Sequence, residues 1–256
     1  MTLDNKFTKL KKNGFTLIHI NKINTINKIR DQILKITKKE LKKCNINYSK
    51  KINDIFFNNF HKIEIDDAVI NRIRLNTIKE INKNNVLIDK LYKVFSKEIK
   101  ILLGDDIVGQ KNVNLVIHRP KDKSVAPIHR DSPPNSPHEI VFWLPLVDCY
   151  GTKSMNLLNK KFTSGAEKIL LNSNKNYETF ENFFKRRSDT IICDYGQVLL
   201  FQTPIFHYIP INYENETRFS LNFRFKNLNK DYGSKTFPEY FKTIKISNKT
   251  KKDINI

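Results

Sequence analysis

Residues 218–225 read RFSLNFRF, an alternation of apolar and polar side chains sustained over the whole segment. A side-chain period of two marks a β-strand whose faces meet different environments. Phe219, Leu221, Phe223 and Phe225 share one face; Arg218, Ser220, Asn222 and Arg224 share the other. A polar face of that kind either meets water or lines a polar cavity. Arg218 with Ser220 is suited to clamp a carboxylate, through a charge-assisted fork and a hydroxyl donor.

Upstream of that segment, strand patterns recur at Asn112 to His118, Glu139 to Val147 and Ile191 to Phe201, the last with a turn at Asp194 to Gly196. The chain before Gly104 reads differently. Gly14 to Ile20 is a short strand, after which Ile23, Ile26, Ile29, Ile33 and Ile36 recur every three or four residues, the spacing of an amphipathic helix. Two more helical patterns cover Asp66 to Asn82 and Val86 to Leu103; the second places Leu87, Leu91, Phe95, Ile99 and Leu102 on one face, with Gly104 as its stop. Asn159 to Asp189 is a longer polar excursion, and residues after Lys226 are polar, lysine-rich and expected to drape over the surface or fray. The class expected is α+β. One domain spans residues 1–256, with a mainly helical part over 1–105 packed on one face of a β core over 106–226, then a tail over 227–256.

A formal charge of +20 invites a polyanion partner, since a basic surface acts over roughly a Debye length, about 8 Å at physiological salt. The lysines scatter instead of forming a stripe, and Lys38 to Lys43 reads as a solvated helix face, so nucleic acid is a disfavoured partner. Cys44, Cys149 and Cys193 are odd in number and far apart, which suggests neither a disulfide framework nor a CxxC metal site and fits a reducing compartment. Met1 to Asn13 lacks a secretory apolar run, and no later stretch approaches the roughly 18 apolar residues of a membrane span. A soluble, cytoplasmic protein is expected.

Candidate chemistry gathers at His129-Arg130-Asp131. In an extended backbone His129 and Asp131, which follow residues 125–128 (VAPI), fall on one face and can chelate one ion. His207 follows the apolar run Val198 to Phe201. Two histidines and one carboxylate form the facial triad of non-haem Fe(II) oxygenases, which leaves coordination positions open for a 2-oxo acid and dioxygen. His118 and His138 are rival ligands, ranked below His207 because His118 ends a buried-looking strand and His138 follows a proline-rich loop. His19 and His61 read as structural, and Trp143 as core.

An HxD at 129–131, a strand carrying Trp143 and Asp148, a distal His207 and an RxS at 218–220, in this order, resemble the oxygenases that use Fe(II) and 2-oxoglutarate, phytanoyl-CoA-dioxygenase-like members included. More narrowly, the chain is similar to those found sporadically in carbohydrate biosynthesis gene clusters. The likeness runs through most of the chain, including Gln110, the Asn114 strand and residues 143–155 (WLPLVDCYGTKSM). It implies a double-stranded β-helix (jelly roll, cupin-like) fold and a dioxygenase using Fe(II), 2-oxoglutarate and O2, with His129, Asp131 and His207 as iron ligands and Arg218 and Ser220 on the distal carboxylate of 2-oxoglutarate. Gln110, Asn114 or Thr152 would face cosubstrate or substrate. The substrate implied is a small molecule or a carrier-linked sugar, with hydroxylation as the default outcome. One departure is the lack, after Ser154, of the Pro-Gly-Ser-His ending common in related enzymes, so the substrate is covered differently there. Two alternatives stand beside this reading. The paired arginines of RFSLNFRF also resemble the strand of nucleic-acid dealkylases, and a non-catalytic cupin-like binding module would leave the pairing of Arg218 with Ser220 unexplained. Oligomeric state is not legible.

Overall fold

The computed structural model describes residues 3–49, 52, 55–122, 126–172, 177–248 and 250. Val125, at the start of the apolar approach to His129, and the last residues of the tail lie outside them. In chain order the elements are α1 (Leu3–Asn13), β1 (Phe15–His19), α2 (Ile23–Lys43), α3 (Phe56–Asn59), α4 (Asp67–Ile81), α5 (Val86–Leu103), β2 (Ile107–Gln110), β3 (Asn114–His118), β4 (Ile140–Pro145), β5 (Asn156–Leu158), α6 (Thr163–Asn172), α7 (Tyr177–Arg187), β6 (Ser188–Thr190), β7 (Gln197–Gln202), β8 (His207–Tyr208), β9 (Arg218–Asn227) and β10 (Phe241–Lys245).

The strand that carries RFSLNFRF, β9, is the hub. It lies inside a seven-stranded sheet of order β1-β7-β4-β9-β2-β10, with β3 also paired to it; a second sheet runs β6-β5-β8. Every pairing is antiparallel. One edge of β9 meets β4, from Ile140 opposite Phe225 to Pro145 opposite Ser220. The other meets β2 near Phe225 and then β3, from Asn114 opposite Asn222 to His118 opposite Arg218. The chain is thus a mixture of helices and antiparallel sheet.

The apolar face of β9 is covered by helices. Phe219 meets Phe57 and Phe60 with ring centroids 4.7 and 5.2 Å apart, Phe223 approaches Phe95 of α5, and Phe225 meets Tyr92. The isoleucine stripe of α2 turns Ile26, Ile29 and Ile33 into the same core. At the end of α5, Gly104 takes φ +84°, a left-handed conformation that a side chain would strain.

Three segments depart from the sequence reading, and a fourth carries a helix that the sequence reading did not assign. Phe241–Lys245 does not drape or fray: as β10 it closes the β2 edge, with Phe241 fully buried. The preceding residues strap the loop that follows the HxD, through Ser136 Oγ to the Asp231 carbonyl and Ser234 N and Oγ to the Pro134 carbonyl, at 3.0 and 2.8 Å. Within Asn159 to Asp189, α6 and α7 fold over a satellite core of Ile128, Leu158, Ala166, Phe180, Phe184 and Phe206. Only Gln197–Gln202 of the stretch from Ile191 is strand, because Ile191 and Cys193 bond instead to Met155 and Cys149. Finally, the lysine-rich amino terminus forms α1, which buries Phe7 and Leu10.

Two consequences are measurable. Phe219→Ala removes a fully buried ring that joins β9 to α3, so the urea midpoint should fall by the equivalent of about 3–5 kcal/mol with an unchanged m-value; a loss below about 1 kcal/mol would mean that the helices do not anchor there. All three thiols are free, and burial pushes Cys149 up to about 12 and raises Cys193 as well. A thiol reagent at pH 8 should therefore count one reactive cysteine, the partly exposed Cys44, in the native protein and three after unfolding.

Candidate active site

His129 and His207 are joined by the backbone. His129 N donates to the His207 carbonyl at 3.0 Å and His207 N to the His129 carbonyl at 2.8 Å, which sets the two rings 4.2 Å apart between centroids. Two positions on, Asp131 N donates to the Thr203 carbonyl at 3.0 Å and keeps the segment against the β7–β8 turn. One ligand atom from each of His129, Asp131 and His207 lies within 4.8 Å of the others. The rivals are elsewhere: His118 closes β3 opposite Arg218, and His138 is exposed.

Both imidazoles are oriented in the same way. His129 Nδ1 lies 2.7 Å from the Pro127 carbonyl and His207 Nδ1 3.0 Å from the Ile205 carbonyl. A carbonyl only accepts, so each Nδ1 carries the hydrogen and each Nε2 keeps a lone pair for a metal. Burial pulls the pKa of His207 down to about 4 although Asp131 pulls the other way, and the ring is neutral at pH 7, as a ligand must be. Asp131 is held from behind: Arg224 Nη2 donates to its Oδ2 at 2.9 Å, leaving Oδ1 3.9 Å from His129 Nε2. Arg224 Nη1 in turn faces Glu139 Oε2 at 3.5 Å, and the Ser136 amide donates to Glu139 Oε1 at 2.9 Å. Burial raises the Glu139 pKa, opposed by Arg224.

Arg218 is at the far end of the same polar face. It is fully buried, its Nη1 donates to the Lys153 and Ser154 carbonyls at 3.0 and 3.1 Å, and its Nε and Nη2 have no hydrogen-bond partner among the described residues. The hydroxyl of Ser220 is also buried and has no partner among the described residues. Burial depresses the Arg218 pKa, with Cys149 and Asp122 acting against the shift. Trp143 is buried as expected, but it stands opposite Asn222 on the polar side of β9, and the Arg218 guanidinium carbon lies 5.7 Å from its ring.

The remaining candidates divide. Gln110 donates through Nε2 to the Asn112 carbonyl, which identifies Oε1 as its acceptor end, and Oε1 has no partner among the described residues. With Asn114, Asn222, Arg224, Lys235 and Tyr240 it lines a cavity of about 300 Å³. Thr152 is not part of that group. Its hydroxyl is taken up between Glu214 Oε1 at 2.9 Å and the Tyr213 amide at 2.8 Å, tying one loop to another.

The sequence matches no family model and no curated protein. Solved structures do match. A non-heme monooxygenase, the ThoJ–nickel complex, aligns over 94% of this chain and 83% of its own with TM-score 0.55 and 12% identity. AviO1 from Streptomyces viridochromogenes Tue57 covers 90% and 98%, TM-score 0.51 and 11% identity; HygX from Streptomyces hygroscopicus, with nickel and 2-oxoglutarate bound, covers 90% and 88%, TM-score 0.50 and 11% identity. The chain shares the fold of these proteins.

The sequence reading missed the grip of Arg224 on Asp131, the support from Glu139, and the arrival of Lys235 and Tyr240. Arg224 was legible as the second arginine on the Arg218 face. Lys235 and Tyr240 had no local signal, because only the return of the tail to the sheet brings them in.

Proposed function

We propose that this chain is an Fe(II)- and 2-oxoglutarate-dependent oxygenase of the double-stranded β-helix type, phytanoyl-CoA-dioxygenase-like, folded as one domain and acting in the cytoplasm on a sugar-linked substrate. The observation that carries this reading is the pair of arginines on one face of β9. They stand six residues apart, about 20 Å of strand, and only one is committed. Arg224 holds a carboxylate that shares a cluster of ligand atoms within 4.8 Å with both histidines, while Arg218 keeps two buried donors for which the described residues offer no acceptor. A buried cation with free donors fits the distal carboxylate of a dicarboxylic 2-oxo acid.

The donor set of two imidazoles and one carboxylate suits a divalent iron with open positions. When bound, iron and 2-oxoglutarate supply the oxidising power, using O2 and releasing succinate and CO2 as the substrate is hydroxylated. The chain's own residues orient and shelter. His129 and His207 present lone pairs fixed by the Pro127 and Ile205 carbonyls, and Asp131 presents Oδ1 because Arg224 occupies Oδ2. Arg218 and Ser220 hold the far end of the cosubstrate. The cavity lined by Gln110, Asn114, Asn222, Arg224, Lys235 and Tyr240 is dominated by hydrogen-bonding groups, which suits a hydroxylated substrate.

Anaerobic addition of Fe(II) and 2-oxoglutarate should produce a weak visible charge-transfer band that needs both additions and is lost in Arg218→Ala; folded protein that gives no band rules the reading out. Arg224→Gln should weaken Ni(II) binding by about 10–100-fold, the usual cost of losing a group that orients a ligand. Calorimetry would check it, and unchanged affinity would show that Asp131 needs no such support.

A further inference from the structure

At the end of β3, His118 stands in register with Arg218 across the β3–β9 ladder. Directly opposed residues of an antiparallel pair project to the same side, so the imidazole shares the polar face with the guanidinium. His118 is 3% exposed, yet neither Nδ1 nor Nε2 has a hydrogen-bond partner among the described residues. Burial first, and then the charge of Arg218, lower its pKa to about 4, leaving a neutral ring with one N–H donor and one lone pair. A buried ring with both nitrogens unsatisfied is costly, and such rings are rare without a ligand or water to serve them.

The same region holds other unserved groups. Ser154 accepts from Arg218 Nη1 through its carbonyl at 3.1 Å, while its own hydroxyl is fully buried and has no partner among the described residues. Ser220 Oγ lies between Val116 on one neighbouring strand and Pro145 on the other, neither of which carries a polar side chain. Arg218 Nε and Nη2, the two hydroxyls and the His118 N–H are all donors. A carboxylate is an acceptor only, with about four lone-pair sites. One negative group would satisfy the set, and Arg218 would supply its counter-charge.

We propose that His118 and Ser154 complete, with Arg218 and Ser220, the cradle for the distal carboxylate of the cosubstrate, with His118 acting as a neutral donor that selects a dicarboxylic 2-oxo acid. The assignment rests on the 2-oxoglutarate reading above and adds two residues to it. His118 is a positioning residue for the cosubstrate and takes no part in holding metal.

The test is calorimetric binding to the Ni(II)-loaded full chain, with 2-oxoglutarate and with 2-oxobutyrate, which keeps the 2-oxo acid and lacks the distal carboxylate. His118→Phe should weaken 2-oxoglutarate by at least about tenfold, the worth of one hydrogen bond to a charged group, and leave 2-oxobutyrate within twofold. His118→Gln, which restores an N–H donor, should recover most of the loss, and thermal melting would confirm that both variants fold. Unchanged 2-oxoglutarate affinity in His118→Phe, with Arg218→Ala still defective, would overturn this proposal alone and leave a water cluster around the ring. Equal weakening of both acids would also overturn it. Wild-type protein that binds no 2-oxoglutarate would overturn the cosubstrate reading itself.

Discussion

Along β9, one period-two alternation faces two different media. Phe219, Leu221, Phe223 and Phe225 are fully buried against helices, while Arg218, Ser220, Asn222 and Arg224 form the opposite, polar face. A one-residue slip of register would drive the arginines into the phenylalanine core and expose the aromatic rings to the polar cavity. The register is pinned on both edges, by β4 on one and by β2 and β3 on the other. The helical first half of the chain is therefore more than a cover. By accepting the aromatic face it fixes which way the arginines point, and so where a ligand can be held.

The two arginines show how burial separates structural from ligand-directed charge. Arg224 is flanked by two carboxylates, at 2.9 and 3.5 Å, and acts as internal scaffolding for Asp131. Arg218 is buried more deeply, with carbonyls on one nitrogen and no hydrogen-bond partner among the described residues for the other two. Buried ion groups are weak evidence for stability. A buried guanidinium with open donors is better understood as a binding group whose counter-ion is the ligand. The backbone bridge between His129 and His207 supplies the other end of the site, holding the rings with main-chain bonds that do not depend on side-chain packing.

Much of this was legible from local pattern. RFSLNFRF, the isoleucine stripe of α2 and the leucine-rich face of α5 encode their environment in their own periodicity, and the elements appear where the spacing places them. The HxD and His207 were legible as a chemical set, and the structure brings them together. What escaped was set by contacts distant in sequence. Phe241 pairs with β2 some 130 residues upstream, far beyond any local signal. The α6–α7 pair depends on a satellite core completed by Ile128 and Phe206. Thr152 was named only through the family resemblance, and Glu214 and the Tyr213 amide, from a loop some 60 residues on, claim its hydroxyl. His118 was weighed as a metal ligand, and its cross-strand partner, which places it beside Arg218, is a matter of register.

The most direct test of the account is a crystal structure of the chain prepared without oxygen with Ni(II) and 2-oxoglutarate, with the metal located by its anomalous scattering. One metal should lie among His129 Nε2, Asp131 Oδ1 and His207 Nε2, with the distal carboxylate of 2-oxoglutarate against Arg218. A metal held by other residues, or a cosubstrate whose carboxylate turns away from Arg218, would contradict it.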